Sequence, residues 1–379
     1  MRHTVLLTLG RLPKALSLAR ALHAAGCRVI VADPFRWHLC RASRAVAATY
    51  RVTAPNTDRE AFQRELLDII RDEGVTSVFP VSEEALHVAC IAGALPADCR
   101  LFTAGFNTLL QLHDKLSFAE LAQARGLGVP LTFPAESEEG RALCRASATI
   151  AKPAHGCSGI GIQRLQQGQF PDGDLSGLLV QRWIEGDHIS TLSLVRGGRE
   201  VARARYRGTV FAGTVAICFE RVESHPAIDA WLDAFFKADA PDEGFFAFDF
   251  ITDDAGVAWA IECNPRITSG IHFLDSAALG EMLATEDVGG PGASVAASAG
   301  SRYQWAYSTL TEAYRGAFKA GEFRRRMGEL IRARDVVWSA RDPLPFLLMT
   351  PLSWEILWPA MTSRRTLGEA TQGDIAWYG

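Results

Sequence analysis

"FFAFDFITDDAGVAWAIECNPRI", residues 245–267, is two β-rich runs around a short polar turn, "DDAG". Aromatic and β-branched residues on both sides of such a turn predict a β-hairpin. A loop symmetric about Ala255–Gly256 sets Asp249 directly across from Glu262. Opposed residues on paired strands share a face, with Cβ atoms roughly 4.5–5.5 Å apart. The period of two adds Asn264 to that face. The same alternation assigns Phe248, Phe250, Trp259 and Ile261 to the other face as core, and turns Cys263 away from the acids. Two carboxylates at that separation repel unless something positive lies between them. A divalent cation satisfies them, and two carboxylates with an amide carbonyl suit Mg²⁺, which takes its remaining ligands from water and substrate phosphates. Asp249, Glu262 and Asn264 are therefore candidate metal ligands, and the site asks for a nucleotide. The plainer reading is a pair of exposed acids on a hairpin; the density of Phe and Trp around them weighs against it.

The rest of the chain sets bounds. Its 379 residues suggest two or three domains. Apolar content of 48% and charged content of 22% are ordinary for a globular protein. A net charge of −4 gives no reason to expect nucleic acid or anionic lipid as a partner. The eight cysteines are scattered without a C-x-x-C, which reads as reduced, mostly buried thiols in a cytoplasmic protein. "TVLLTLG" near the start reads as a first strand and not as a signal peptide. Residues 342–361 are apolar but carry Asp342, Glu355 and four prolines, so an unbroken membrane helix of about 20 residues is not expected.

Strand and helix patterns alternate through the first hundred residues. "TVLLTL", "RVIVADP", "VTSVFPVS" and "RLFTAG" predict a parallel sheet, whose ligands would sit at the strands' carboxyl ends near Gly10, Asp33 and Ser82. The first turn, "TLGRLPKA", has one glycine, so a dinucleotide fingerprint is excluded, and no P-loop occurs. Residues 108–130 read as one helix stopped by Gly126 and Gly128 before Pro130. Antiparallel strand patterns follow. Residues 286–300 are linker-like, and 301–379 are helical and aromatic-rich, with Arg324, Arg325 and Arg326 on a solvated helix face.

Five pieces then stand in one order: "HDK" with Lys115, "AKP" with Lys152, "AHGCSGIGI" at 154–162, "LVQRWIEG" at 179–186 and "IECNPR" at 261–266. Together they resemble the ATP-grasp superfamily, of the carboxylate–amine ligase kind. The resemblance covers about residues 1–280 as an architecture, with its motifs in 113–271. It implies an α/β fold of ATP-grasp architecture. An N-terminal parallel-sheet pre-ATP-grasp domain (1–107) precedes two α+β subdomains at 108–285, divided into 108–190 and 191–285. A C-terminal helical or mixed extension (286–379) follows. It implies ATP and Mg²⁺, one ion or two, with Mn²⁺ able to substitute. Lys115 would touch the α-phosphate. Lys152 would sit on the strand before a phosphate-covering loop of Gly156, Ser158, Gly159 and Gly161, whose backbone N–H groups approach phosphate oxygens closely. Cys157 in that loop is a conceivable nucleophile but reads more simply as a small loop residue. Gln181 and the backbone of Trp183 and Ile184 would hold adenine. The family often has an acid for the ribose just after this linker; here Asp187 or His188 stands in. The first metal carboxylate, often Glu in the family, is here the shorter Asp249. Arg266 would act with Lys152 on the transferring phosphoryl group.

The chemistry implied is attack of a substrate carboxylate on the γ-phosphate, then displacement of the acyl phosphate by an amine, releasing ADP and phosphate. The alternatives are an ATP-grasp phosphotransferase or condensation enzyme acting on a hydroxyl or enol, and a non-catalytic nucleotide sensor. Expected partners are a small-molecule acid and amine, with a homodimer allowed. For the acid, "VARARYRG" places Arg203, Arg205 and Arg207 on one strand face, and Arg205 is the candidate carboxylate anchor. Ser82, Glu83 and Arg11 are further candidates for the pocket wall.

Overall fold

A computed structural model describes residues 3–156, 161–285, 293–315, 320–362 and 367–378. The first layer is a parallel sheet in the order β3–β2–β1–β4–β5, from β1 (Thr4–Leu7), β2 (Arg28–Asp33), β3 (Val46–Arg51), β4 (Ser77–Phe79) and β5 (Arg100–Leu101). Helix α1 (Pro13–Ala24) joins the first two strands; it begins with Pro at its first position and is followed by Gly26 at φ +89°, a left-handed turn that glycine adopts without penalty. Helix α2 (Arg59–Asp72) is capped by Asp58, which accepts from the Ala61 N–H. The β3–α2 unit has no counterpart in the sequence reading, and a short α3 (Ala85–Ala89) follows β4.

The stretch expected as one helix over 108–130 is two. Helix α4 (Phe106–His113) ends at Asp114, whose extended backbone breaks the helix while its side chain accepts from Ser117 N–H and starts α5 (Lys115–Ala124). That break puts Lys115 at a helix N-terminus, beside the loop that follows Lys152. A four-stranded antiparallel sheet comes next, ordered β6–β9–β7–β8: β6 (Thr132–Pro134), β7 (Thr149–Pro153), β8 (Gln163–Leu165) and β9 (Leu178–Arg182), with α6 (Glu138–Ala146) packed on it.

The large sheet runs β14–β13–β10–β11–β12–β15–β16. Its strands are β10 (Asp187–Arg196), β11 (Arg199–Ala212), β12 (Val215–Arg221), β13 (Glu243–Thr252), β14 (Ala258–Asn264), β15 (Arg302–Gln304) and β16 (Arg334–Asp335). The last two come from the segment expected as an extension. Strand β15 pairs with β12 and β16 with β15, so this segment supplies the sheet's edge. One face of the sheet packs on α7 (Pro226–Asp239) through Trp231, Phe235, Phe246, Phe248 and Phe250. The other face packs at one end on α1 and α8 (Ser276–Ala284) and opens at the other end into a cleft. Helices α9 (Ala306–Arg315), α10 (Ala320–Arg332), α11 (Leu344–Leu347), α12 (Met349–Leu352), α13 (Trp354–Thr362) and α14 (Leu367–Gln372) finish the chain. Val336, Val337, Met349 and Ile375 return to the central core. Among the described residues no helix is long and apolar enough to cross a membrane. Six of the seven described cysteine thiols are buried and none is paired; Cys157 lies outside the described residues.

At the parallel sheet's carboxyl edge, the region of Gly10 and Asp33 is filled. Asp33 accepts from the N–H groups of Gly10 (2.8 Å), Arg11 (3.1 Å) and Phe35 (2.8 Å). The Arg11 guanidinium binds Asp33 at 2.7 Å and Asp374 at 2.8 Å, and lies 3.4 Å over the Phe35 ring. A Cβ on Gly10 would stand 2.4 Å from His38 Nδ1. Neither a ligand at this edge nor Arg11 as a pocket residue fits that arrangement. Only the Ser82 end of the sheet adjoins the cleft.

Candidate active site

Strands β13 and β14 form the expected hairpin, closed by Gly256 at φ +77°. Asp249 pairs with Glu262, although the route there differs from the symmetric loop. From Thr252–Ala258 to Phe250–Ala260 the register is one residue short, and a β-bulge restores it at Asp249. The bulge reverses which β14 residues face in. Ala258, Ala260 and Cys263 are buried with Phe248 and Phe250. Ile261 joins Glu262 and Asn264 in the cleft wall, and Trp259 is only half-buried, with its ring nitrogen on Asp253 Oδ2 at 2.8 Å. The core assignment of Trp259 and Ile261 is thus corrected.

The carboxylate pair shares the Asn264 amide, whose Nδ2 lies 3.1 Å from Asp249 Oδ2 and 3.3 Å from Glu262 Oε1. Ser190 donates to Asp249, and His188 Nε2 stands 3.7 Å from it. Burial, with Glu262 nearby, raises Asp249 to about 6. Burial also acts upward on Glu262, but Lys115 and Lys152 outweigh it and hold Glu262 low. Glu262 therefore stays charged beside a carboxyl that titrates higher, and a hard cation would fit between them. Among the described residues no three His, Cys, Asp or Glu groups converge. The protein would offer two carboxylates, and the Asn264 oxygen once its amide, now donating to both acids, flips, leaving other positions to water and phosphate oxygens.

Three cations surround the pair. Lys152, 2% exposed, donates to Gln181 Oε1 (2.9 Å) and Ile261 O (3.0 Å). Burial lowers its ammonium to about 8. Lys115 donates to Gly156 O at 2.9 Å and lies 4.0 Å from Glu262. Arg266 donates to Asn264 Oδ1 at 2.9 Å and pairs with buried Glu83. Gly156 (φ +136°) and Gly161 (φ +75°) hold left-handed conformations on either side of the phosphate-loop candidates. Ser158 and Gly159 lie outside the described residues.

In the linker, Gln181 is buried and bridges Lys152 and Thr132 Oγ1 (2.8 Å). The Trp183 N–H is engaged by Ala148 O at 3.0 Å, which narrows the backbone expectation to its carbonyl and to Ile184. Asp187 and His188 alternate on β10; His188 lines the cleft and Asp187 does not.

Ser82 and Glu83 do not line the cleft themselves. They hold the cations that do: Lys14 Nζ donates to Ser82 Oγ (2.9 Å) and Ile267 O (2.7 Å), and Glu83 binds Arg266. Arg205 lies elsewhere, on the sheet face toward α7, bound to Asp229 at 2.5 Å. Lys14, Ser190, Tyr206, His272 and Trp305 line the cleft and were not singled out from sequence. Lys14 had a signal, since it stands in the first turn after β1, where a parallel sheet collects ligands. Trp305 had none, because its strand arrives from beyond residue 300.

Residues 112–270 match the family model described as the ATP-grasp domain. No curated protein sequence matches the chain. Solved structures share the fold. N5-carboxyaminoimidazole synthetase from Staphylococcus aureus has 13% identity and a TM-score of 0.59, covering 78% of this chain and 81% of its own. Biotin carboxylase from Campylobacter jejuni has 15% identity and a TM-score of 0.61, covering 78% and 74%. L-amino acid ligase from Bacillus licheniformis has 15% identity and a TM-score of 0.53, covering 72% and 69%. Residues 112–270 therefore carry an ATP-grasp domain.

Proposed function

We propose that the protein is an ATP-dependent ligase that joins a carboxylate to an amine through an acyl phosphate, releasing ADP and phosphate. The observation that carries this reading is the half-buried Asp249–Glu262 pair on the cleft wall with Lys152 and Arg266, and Lys115 4.0 Å from Glu262 behind it. The structural neighbours named as synthetase, carboxylase and ligase support it. Phosphoryl transfer demands positioning and charge neutralisation more than covalent help. Lys152 and Lys115 bring positive charge to the triphosphate, and Gln181 holds the Lys152 ammonium in place. Arg266, steadied by Glu83 and Asn264, faces the space where a carboxylate would meet the γ-phosphate. Mg²⁺ held by Asp249, Glu262 and the Asn264 side chain would neutralise phosphate oxygens and polarise the γ-phosphorus. The glycine loop 154–161, on our reading, covers the phosphates and keeps water from the acyl phosphate.

The test is the fate of oxygen. Acid labelled with heavy oxygen should deliver one labelled atom to each phosphate released, because the attacking oxygen leaves with phosphate when the amine displaces it. A kinase would retain phosphate on its product, and an idle ATPase would draw the oxygen from water. Unlabelled phosphate under turnover with both substrates would overturn the ligase reading.

A further inference from the structure

The cleft, about 430 Å³, does not end at the metal-site candidates. Beside Arg266 and Lys14 its lining includes an apolar group, Tyr206, Ala216, Ile217, Phe219, Trp305 and Val336, which we treat as one lobe. None of these six is charged, and the strand alternation explains why. On β11 the residues flanking Tyr206 are Arg205 and Arg207, and both turn outward. Arg205 binds Asp229, and Arg207 binds Glu220 at 2.9 Å. Polar atoms on these walls are engaged within the protein, and the neighbouring His272 ring lies 3.1 Å from Ser17 Oγ. The Tyr206 hydroxyl donates to Thr268 Oγ1 at 3.0 Å, and Trp305 Nε1 donates to Met349 Sδ at 3.1 Å. The Trp305 backbone is pinned to β12 through Ile217 O at 2.8 Å. Two cations thus stand at the lobe's mouth, beside the reacting centre, and an apolar wall lies behind them.

We propose that the acid this site activates has an uncharged, apolar body, held in the lobe with its carboxylate toward Arg266 and Lys14, and that Trp305 and Ala216 set its size. The proposal rests on the ligase reading and narrows its substrate class. A second charge on the acid would lose its water against this wall without a partner, at heavy cost. An apolar body gains with each methylene buried, about 0.8 kcal/mol or roughly 4-fold in affinity. The segment beyond residue 300 then has a role in specificity, since it supplies Trp305 and Val336.

The experiment is calorimetric titration of the full chain, saturated with MgADP, with butanoate, hexanoate, octanoate, 3-phenylpropanoate and the dicarboxylate adipate. Affinity is expected to rise about 3- to 4-fold per methylene until the lobe is full. Adipate, matched to hexanoate in length, should bind at least about 30-fold more weakly. Ala216→Asp should flatten the chain-length series while ADP affinity stays unchanged, and Trp305→Ala should weaken hexanoate about 10-fold. Adipate binding as well as hexanoate, no acid binding beside MgADP, or an unchanged series in folded Ala216→Asp and Trp305→Ala would each overturn the lobe assignment. The two readings separate. Apolar acids that bind but pass no labelled oxygen to phosphate leave the lobe standing and remove the ligase. Labelled transfer from dicarboxylates alone does the reverse.

Discussion

Two carboxylate clusters in this molecule, one buried and one half-buried, look alike in a list of charges and differ in kind. At the parallel sheet's edge, Asp33 accepts three backbone N–H groups and a two-pronged Arg11, itself shared with Asp374. Burial acts to raise its pKa, but Arg11 and His38 outweigh that and leave Asp33 below its ordinary value. On the hairpin, Asp249 faces a second carboxylate, a shared amide and one hydroxyl, and burial raises it to about 6. The first cluster is closed inside the chain, fully buried and directly paired, and holds elements together. The second gathers acids and cations that meet across an open cleft, with both carboxylates still part-exposed, as a site for a cation and polyphosphate would be. Access and direct pairing, more than the presence of acids, separate a structural cluster from a binding one.

Substitution should expose the contrast. The largest effect is expected from Glu262→Gln, with Mg²⁺-dependent ADP release falling by about three orders of magnitude or more, roughly 4 kcal/mol in the barrier. Its thermal midpoint should fall modestly, because Lys115 and Lys152 hold the Glu262 carboxylate low in the folded chain and lose that partner. Asp249→Asn should lose turnover alike but hold or gain stability, since burial raises the Asp249 carboxyl. Near-parental turnover in either variant breaks the comparison. Asp33→Asn should do the opposite, costing about 3–5 kcal/mol of stability in denaturant titration by leaving Arg11 buried and half-paired. The sign with pH follows from the lowered Asp33 value. Its stabilisation is fully present above about pH 4, is lost as pH falls through the lowered folded pKa, and should vanish from the acid limb of the Asn variant.

Lys152→Ala comes next. Losing one charge-assisted contact should weaken ATP about 10- to 150-fold by calorimetry, or about 1.5–3 kcal/mol. Unchanged ATP binding would remove Lys152 from the site. The smallest effect belongs to Arg205→Gln. It lies outside the cleft, so kcat/KM for the acid should shift less than about 3-fold; a loss above 10-fold would return it to the pocket.

Much of the hairpin was legible because pairing arithmetic and side-chain alternation act within twenty residues. The bulge was not, since an extra residue in one strand leaves no mark in composition, and it moved Ile261 into the cleft and left Trp259 half-buried. The order Lys115, Lys152, Gln181, Glu262, Asn264 could be read along the chain. The break at Asp114 that aims Lys115 could not, because the apolar spacing runs on through it. Arg205 failed for a different reason. Alternation correctly grouped the three arginines on one face, but which face meets the cleft is set by α7, whose Asp229 and Asp233 claim that side. Trp305 and Val336 reach the site beside strand pairings as distant in sequence as Cys218 with Gln304, beyond any local pattern.

The central claim, that the hairpin pair is a cation site serving a nucleotide, is tested most directly by titrating ADP with and without Mg²⁺ into the parent protein and into Glu262→Gln. The account predicts that Mg²⁺ tightens ADP at least about 10-fold in the parent and by less than about 2-fold in the variant. Equal tightening by Mg²⁺ in both proteins would contradict it.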